Sequence, residues 1–254
     1  MHWPVPMNPK GNDPKFPKHP DGSRDLDTTW SYTQTWKEME AVLATGKAKA
    51  IGVANFSVPF LEELMKSATV TPAANQIENH PYLPQQEIVD YCKEKGILIT
   101  AYSPLGSTGS PLFQEKEIQE VAKKHDVSPG TVLLSYHGKT YPLLLPCLLF
   151  LQSVANVFSV ARGSSVIPKS VTPSRIEENM KLIKLDSSDV KALDNIAKTH
   201  PPNRFVYHAF GVSLVSFFYF VSAVADSVFL GQPRIPGQAI NFAKLVTNLM
   251  MVRD

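Results

Sequence analysis

The sequence predicts an α/β fold in which short parallel strands alternate with helices. From residue 34 onward, stretches with helical apolar spacing alternate with short apolar stretches of strand length, a pattern typical of repeated βα units. Polar side chains such as Asn55 and Tyr102 follow the predicted strands, and functional residues of parallel α/β folds gather at such strand ends. The sequence contains no GxGxxG fingerprint, which favours a (βα) barrel over an open doubly wound sheet.

Glycine, serine and proline residues mark where the predicted helices begin and end. A first helix stops at Gly46, a second starts at Ser57 and Pro59, and a third stops at Gly96. The first helix is expected to bury one apolar face, made of Trp36, Met39, Val42 and Leu43. Further helices are predicted at 116–124, from Ser128, at 173–183 and at 188–198. The predicted strands are 50–53, 73–77, 97–101 and 165–167, with a further short strand at His2.

The composition is that of an ordinary globular protein, with no sign of a nucleic-acid or metal partner. The 254 residues are 43% hydrophobic and 19% charged, with a net charge of +2, which suffices for one large domain with a substantial core. Cys92 and Cys147 show no metal-ligand spacing and no disulfide framework, as expected in a reducing compartment. The first residues lack the basic and apolar regions of a signal peptide. A cytoplasmic location is therefore expected.

Residues 167–179 read as a strand end, a tight turn and a helix start that carries two cations. Thr172 is predicted as the N-cap and Pro173 as the first helical residue, so free backbone N–H groups should share one space with Lys169 and Arg175. This pattern favours a phosphate site. The alternative interpretation is a solvated basic helix start without a ligand.

Several motifs in consistent order resemble the aldo-keto reductases, and more closely their fungal NADP-dependent glycerol dehydrogenase and glyceraldehyde reductase branch. The resemblance implies a (β/α)8 TIM barrel. The motifs that carry it are His2-Trp3-Pro4, the loop from Asn8 to Asp27, GVANF at 52–56, NQIENHPYL at 75–83, AYSPLGS at 101–107, IPKSVTPSRIEEN at 167–179 and RFVYHAFG at 204–211.

The resemblance also implies a cofactor, NADP(H), and the residues that hold it. Asn55 and Gln76 would bind the nicotinamide carboxamide, and Tyr102 would stack on the nicotinamide ring. Ala54 stands where the family usually carries a serine. The phosphates and adenine would be bound by three groups of residues: Ser103, Leu105 and Ser107 at the pyrophosphate; Lys169, Ser170, Thr172 and Arg175 at the 2′-phosphate; and Glu178 and Asn179 at the adenine.

The family transfers a hydride from the nicotinamide to an aldehyde or ketone while a tyrosine protonates the developing alkoxide. His2 matches the histidine that orients the carbonyl, and Trp3 matches the aromatic wall of the substrate site. The expected substrate is a small aldehyde, a polyol or a natural-product carbonyl, bound by a monomer with no membrane partner. In the family, the tyrosine, lysine and aspartate of the site precede the His-Trp-Pro motif, so the chain is expected to be truncated at its N-terminus. The alternative is an inactive remnant that binds at most a nucleotide or a partner.

Two apolar segments do not fit the βα series. Residues 1–211 are interpreted as a partial barrel interrupted at 138–160, and residues 212–254 as an atypical extension. Membrane spans are one alternative, weakened by Pro142 and Pro146 in the first segment and by Asp226 in the second. The favoured hypothesis is translated introns. Gly138-Lys139 can be encoded GGTAAG and Ser159-Val160 TCAGTC, so excision between these two sites would leave a single valine codon in frame.

Overall fold

A computed structural model describes residues 1–13, 16–138 and 163–206. The chain divides into two compact units, Met1–Gly211 and Val212–Asp254, and the second unit lies outside the described residues. The described residues also exclude nearly all of the predicted interruption, residues 139–160, and the whole of the predicted extension at 212–254. No helix among the described residues is long and apolar enough to cross a membrane.

The described part contains seven α-helices, four strands and one 3₁₀ helix, in an order that alternates strands with helices from β1 onward. The elements are α1 (Tyr32–Ala44), β1 (Val53–Ala54), α2 (Val58–Met65), β2 (Ala74–Glu78), α3 (Gln86–Glu94), β3 (Leu98–Tyr102), the 3₁₀ helix (Pro111–Gln114), α4 (Lys116–His125), α5 (Pro129–His137), β4 (Ser164–Ile167), α6 (Pro173–Glu178) and α7 (Ser187–Thr199).

The four strands form one parallel sheet in the order β1-β2-β3-β4. β2 and β3 align over five residue pairs, from Ala74 opposite Leu98 to Glu78 opposite Tyr102, and β1 and β4 pair with them in the same direction on either side. Neighbours along the chain are therefore neighbours in the sheet, and a helix must lie in each crossover. The predicted parallel α/β architecture is confirmed.

One face of the sheet packs against the helices. Ile77 of β2 and Ile99 of β3 are at most 3% exposed and lie in a cluster with the fully buried Trp36 of α1 and Leu64 of α2. The indole Nε1 of Trp36 donates to the carbonyl of Val70 at 3.2 Å, so the largest buried side chain leaves no unpaired donor. This apolar burial is the main stabilising contribution to the first half of the sheet.

Four details differ from the sequence-based predictions. The strand predicted at 50–53 begins at Val53 instead, and Val42, predicted to face the core, is 51% exposed. The helix predicted at 173–183 ends at Glu178 and buries no residue, so nothing in the core extends it further. In residues 1–13 there is no strand at His2; Met7 makes only an isolated antiparallel bridge to Leu26. The described sheet therefore has four strands where five were expected.

A charged cluster joins α4 to the start of α7. Asp189 is 3% exposed and accepts hydrogen bonds from Lys124 Nζ at 2.7 Å and from the ring of His125 at 2.8 Å. Burial, the largest influence, would raise the pKa of Asp189, but the hydrogen bonds from Lys124 and His125 outweigh it and hold that pKa below its usual value. Asp186 caps α7 through the backbone N–H groups of Ser188 and Asp189.

We predict that Asp189→Asn lowers the free energy of unfolding by about 1–3 kcal/mol at pH 7, because the ammonium of Lys124 loses a buried carboxylate partner and only one acceptor oxygen is left for Lys124 and His125. The pKa of Asp189 is depressed in the folded state, so its contribution is complete above the unfolded value of about 4 and is lost as the pH falls through the folded value. Urea unfolding at pH 7 and pH 3 measures both effects. Glu120→Gln, which breaks the exposed 3.7 Å pair with Lys116, is the control and should cost less than about 0.5 kcal/mol. An equal loss of unfolding free energy in Asp189→Asn and Glu120→Gln would contradict the prediction.

Candidate functional site

The carboxyl ends of the strands lie side by side along one edge of the sheet. Glu78, the last residue of β2, is opposite Tyr102, the last residue of β3, which in turn is opposite Ile167 of β4. Residues that are far apart in the sequence therefore meet at this edge. Parallel sheets place their functional residues there.

The sheet face opposite the helix-packed one carries a polar row. Gln76, Thr100 and Ser165 are register partners on adjacent strands, so their side chains lie on the same face, and Ser165 Oγ donates to Thr100 Oγ1 at 2.8 Å. Gln76 was predicted from the sequence, whereas Thr100 and Ser165 were not. Thr100 is flanked by the apolar residues Ile99 and Ala101, but Ser165 follows a second serine, Ser164, so no alternation in the sequence marks this row.

Asn55 connects the N-terminal residues to the end of β3. Tyr102 Oη donates to Asn55 Oδ1 at 2.9 Å, and Asn55 Nδ2 donates to the backbone carbonyl of His2 at 3.0 Å. Asn55 adopts a left-handed backbone conformation with φ of 63°, which asparagine tolerates better than most residues. The structure thus brings three predicted site residues together, and Trp3 follows with its ring centroid 6.0 Å from that of His2.

Tyr102 is held in its neutral form. Burial and the negative charge of Glu78 raise its pKa well above the usual range, although the nearby Arg204 lowers it slightly. Its hydroxyl therefore keeps its proton at neutral pH and donates it in the hydrogen bond to Asn55. This leaves the ring of Tyr102 as a fixed surface, which fits the stacking role that the family resemblance implies.

The predicted pyrophosphate residues lie in a tight loop after β3. Ser103 and Gly106 both have left-handed backbones, with φ of 49° and 75°, and the Gly106 N–H donates to the Ser103 carbonyl at 2.8 Å. Ser107 is exposed, while Leu105 packs against the second core cluster. The loop is thus anchored in the core at Leu105 and presents its serines at the surface.

The predicted phosphate turn after β4 is exposed and cationic. Thr172 is the N-cap of α6 and Pro173 its first residue, as predicted, but the Thr172 side chain makes no capping hydrogen bond; its backbone N–H instead donates to Ser170 Oγ at 3.2 Å. Within the described part of the chain, neither Lys169 nor Arg175 forms an ion pair. Glu178 and Asn179 follow at the end of α6 and are half-buried. Two uncompensated cations at one turn can bind a phosphate.

Glu78 is a site residue that the sequence did not reveal. Its side chain is fully buried and accepts hydrogen bonds from the backbone N–H groups of Phe205 and Val206 at 2.7 and 3.1 Å. His80 Nε2 lies 3.2 Å from the same oxygen, and the Arg204 guanidinium lies 3.5 Å from the other. Burial alone would raise the pKa of Glu78, but the interaction with His80, the largest opposing influence, and the hydrogen bonds from the backbone of Phe205 and Val206 hold that pKa below its usual value.

The family assignment follows from comparison with known proteins. The sequence profile of the Aldo/keto reductase family matches residues 1–198. The chain belongs to the aldo/keto reductase family. A D-galacturonate reductase of Hypocrea jecorina is 51% identical over 216 residues, which cover 84% of this chain and 63% of that protein. A glycerol 2-dehydrogenase (NADP(+)) of Saccharomyces cerevisiae is 43% identical over 82% of this chain and 62% of its own length. The predicted fungal aldo-keto reductase resemblance is confirmed.

A solved aldo/keto reductase also shares the fold. The aldose reductase of Giardia lamblia superposes with a TM-score of 0.68 and 32% identity, over 84% of this chain and 65% of that chain. The predicted aldo-keto reductase type of α/β barrel fold is confirmed by this likeness. The chain spans less than two thirds of the length of each of these relatives. In the described residues, no group of three or more His, Cys, Asp or Glu side chains could hold a metal ion.

We predict that Gly106→Ala destabilises the protein more than Gly109→Ala, although both glycines have φ near 76°. A methyl group at Gly106 would clash with Ser110, whose Cβ is 2.6 Å from the added atom, whereas nothing lies within 4 Å at Gly109. The shared backbone strain should cost about 1–2 kcal/mol in both variants, and the clash about 1–3 kcal/mol more in Gly106→Ala. Urea unfolding measures the difference in the free energy of unfolding between the two variants. This difference should disappear when Ser110 is also replaced by glycine. Equal losses in the two single variants would rule out the clash.

Proposed function

We propose that this chain carries the cofactor-binding residues of an NADPH-dependent carbonyl reductase, which transfers a hydride from NADPH to an aldehyde or ketone. One observation carries the proposal: the hydrogen-bonded Asn55–Tyr102 pair, and two cations that form no ion pair with the described residues, Lys169 and Arg175, lie at or beyond the carboxyl ends of strands of the same parallel sheet. The amide and the aromatic ring suit the nicotinamide end of a nicotinamide dinucleotide phosphate. The cationic turn suits its 2′-phosphate end.

The residues present fit this cofactor by the chemistry of their donors and acceptors. Asn55 and Gln76 offer amide groups to a carboxamide, and the neutral Tyr102 offers a ring face. Ser103, Leu105 and Ser107 would border the pyrophosphate. Lys169, Ser170, Thr172 and Arg175 would hold the 2′-phosphate, with Glu178 and Asn179 beside the adenine. When bound, the reduced nicotinamide supplies a hydride to the carbonyl carbon.

His2 and Trp3 would shape the substrate side of the site. The backbone carbonyl of His2 is hydrogen-bonded to Asn55, so any movement of His2 is coupled to the residue proposed for the carboxamide. In this proposal the His2 imidazole orients the substrate carbonyl and Trp3 forms an aromatic wall. The relatives' names, D-galacturonate reductase and glycerol 2-dehydrogenase, support a small polar carbonyl or its alcohol as substrate. The proposal also takes the protein to be a cytoplasmic monomer.

We predict that the chain binds NADPH more tightly than NADH. The Arg175→Ala substitution should reduce the difference between the two binding free energies by about 1.5–3 kcal/mol, because a charge-assisted hydrogen bond to the 2′-phosphate is lost. Titrations monitored by nicotinamide fluorescence or calorimetry give both dissociation constants. Lys181→Ala, which removes another exposed cation two residues beyond Asn179, is the control and should change the preference little. If the ratio of the two dissociation constants is unchanged in Arg175→Ala, Arg175 is not part of the cofactor site.

A separate experiment distinguishes a reductase from a protein that only binds the nucleotide. The transcript that encodes these residues should be sequenced and its complete product expressed. We predict aldehyde-dependent oxidation of NADPH, with D-galacturonate and glyceraldehyde as first substrates, and a fall in kcat/KM of about tenfold or more in His2→Ala. Binding of NADPH without turnover by the complete product would favour the nucleotide-binding alternative over the reductase.

A further inference from the structure

A short segment near residue 205 is tied to the carboxyl end of β2 by an unusually complete set of contacts. We call residues 203–206 the strap. The Asn203 N–H donates to the carbonyl of Tyr82 at 3.2 Å, and the next three residues all bond to the buried carboxylate of Glu78. A single carboxylate thus accepts two backbone N–H groups and a guanidinium from a segment more than 120 residues away.

The other side of the strap contacts the loop proposed for the pyrophosphate. The Phe205 ring lies 3.1 Å from the position that a Cβ on Gly106 would occupy, so the ring is next to the Gly106 residue. Phe205 also packs against the His80 ring, with centroids 4.9 Å apart, and it shares a core cluster with Leu105 of the same loop. The side of Gly106 on which a Cβ would project is therefore lined by both Phe205 and Ser110.

Glu78 is also adjacent to the nicotinamide end of the proposed site. It follows Gln76 by two residues on the same strand face, and its register partner is Tyr102. Glu78 is thus adjacent to a residue proposed for the nicotinamide, and the strap that it anchors lies next to the loop proposed for the pyrophosphate.

We propose that Glu78 is a positioning residue for the cofactor: it anchors the strap, and the strap holds the 103–107 loop in its binding conformation through Phe205. This inference rests on the proposed function for its ligand, since the loop is the one proposed to bind the pyrophosphate. Glu78 itself need not touch the nucleotide. Its loss should weaken binding of the part of NADPH that contacts this loop and leave the 2′-phosphate turn unaffected.

The test compares two nucleotides in the whole chain carrying Glu78→Gln. Glutamine keeps the size of Glu78, but its Nε2 is a donor and cannot accept from Arg204. The dissociation constant for NADPH should rise about five- to tenfold, which corresponds to the net value of one ordinary hydrogen bond. The dissociation constant for adenosine 2′-monophosphate, which carries the 2′-phosphate but no part of the pyrophosphate, should stay within about twofold. Glu40→Gln is the matched control, because Glu40 accepts two consecutive backbone N–H groups, those of Thr69 and Val70, both at 2.8 Å, away from this edge.

A second measurement does not depend on the nucleotide. Hydrogen exchange should become faster in Glu78→Gln both in the strap and in residues 103–107, and Phe205→Ala should accelerate exchange in the same loop without removing Glu78. Unchanged exchange in residues 103–107 in both variants, or equal weakening of NADPH and adenosine 2′-monophosphate binding in Glu78→Gln, would overturn the positioning role. If the wild-type chain binds neither nucleotide, the proposed function fails and with it the cofactor role of Glu78, whatever the exchange data show.

Discussion

The parallel pairing of β2 with β3 is the constraint on which the rest of the structure depends. Five consecutive residue pairs fix the register between these strands, and the last pair is Glu78 with Tyr102. A slip of one residue would exchange the two faces of a strand. A slip of β2 would place Ile77 on the polar face and turn Gln76 towards the helices, and a slip of β3 would do the same to Ala101 and Tyr102. The apolar core therefore specifies the register, and the register specifies which polar side chains meet at the carboxyl edge.

Buried polar side chains on the strands fix the conformation of adjacent loop segments through hydrogen bonds. Asn75 is fully buried and donates to the carbonyl of Phe56 at 2.9 Å while accepting from the Phe56 N–H at 3.4 Å. It thus fixes the chain immediately after Asn55. Glu78 does the same for the strap, three residues further along the same strand. Because an unpaired polar group in such positions would cost several times the net value of a hydrogen bond, both loops have few alternative conformations.

Much of the fold could be predicted from local signals. The N-caps Ser57, Ser128 and Thr172 precede prolines and were found correctly, since capping depends on residues adjacent in the sequence. Val42 was assigned wrongly because helical spacing shows which residues share a face and gives no measure of what covers it. The short α6 was overextended for a similar reason: its apolar residue Ile176 fits a helical pattern but is 48% exposed. The family motifs indicated Asn55 and Tyr102 as site residues, whereas Glu78 and Arg204 could not be paired because their contact is set only by the tertiary fold.

If residues at the ends of separate strands form one dinucleotide site along a single sheet edge, a crystal structure of the chain with NADP⁺ will show it most directly. We expect the nicotinamide carboxamide at Asn55 and Gln76, the nicotinamide ring on Tyr102, the pyrophosphate at residues 103–107 and the 2′-phosphate between Lys169 and Arg175. A nucleotide bound elsewhere, or one that contacts the phosphate turn while its nicotinamide lies away from Tyr102, would show that these residues do not form a single site.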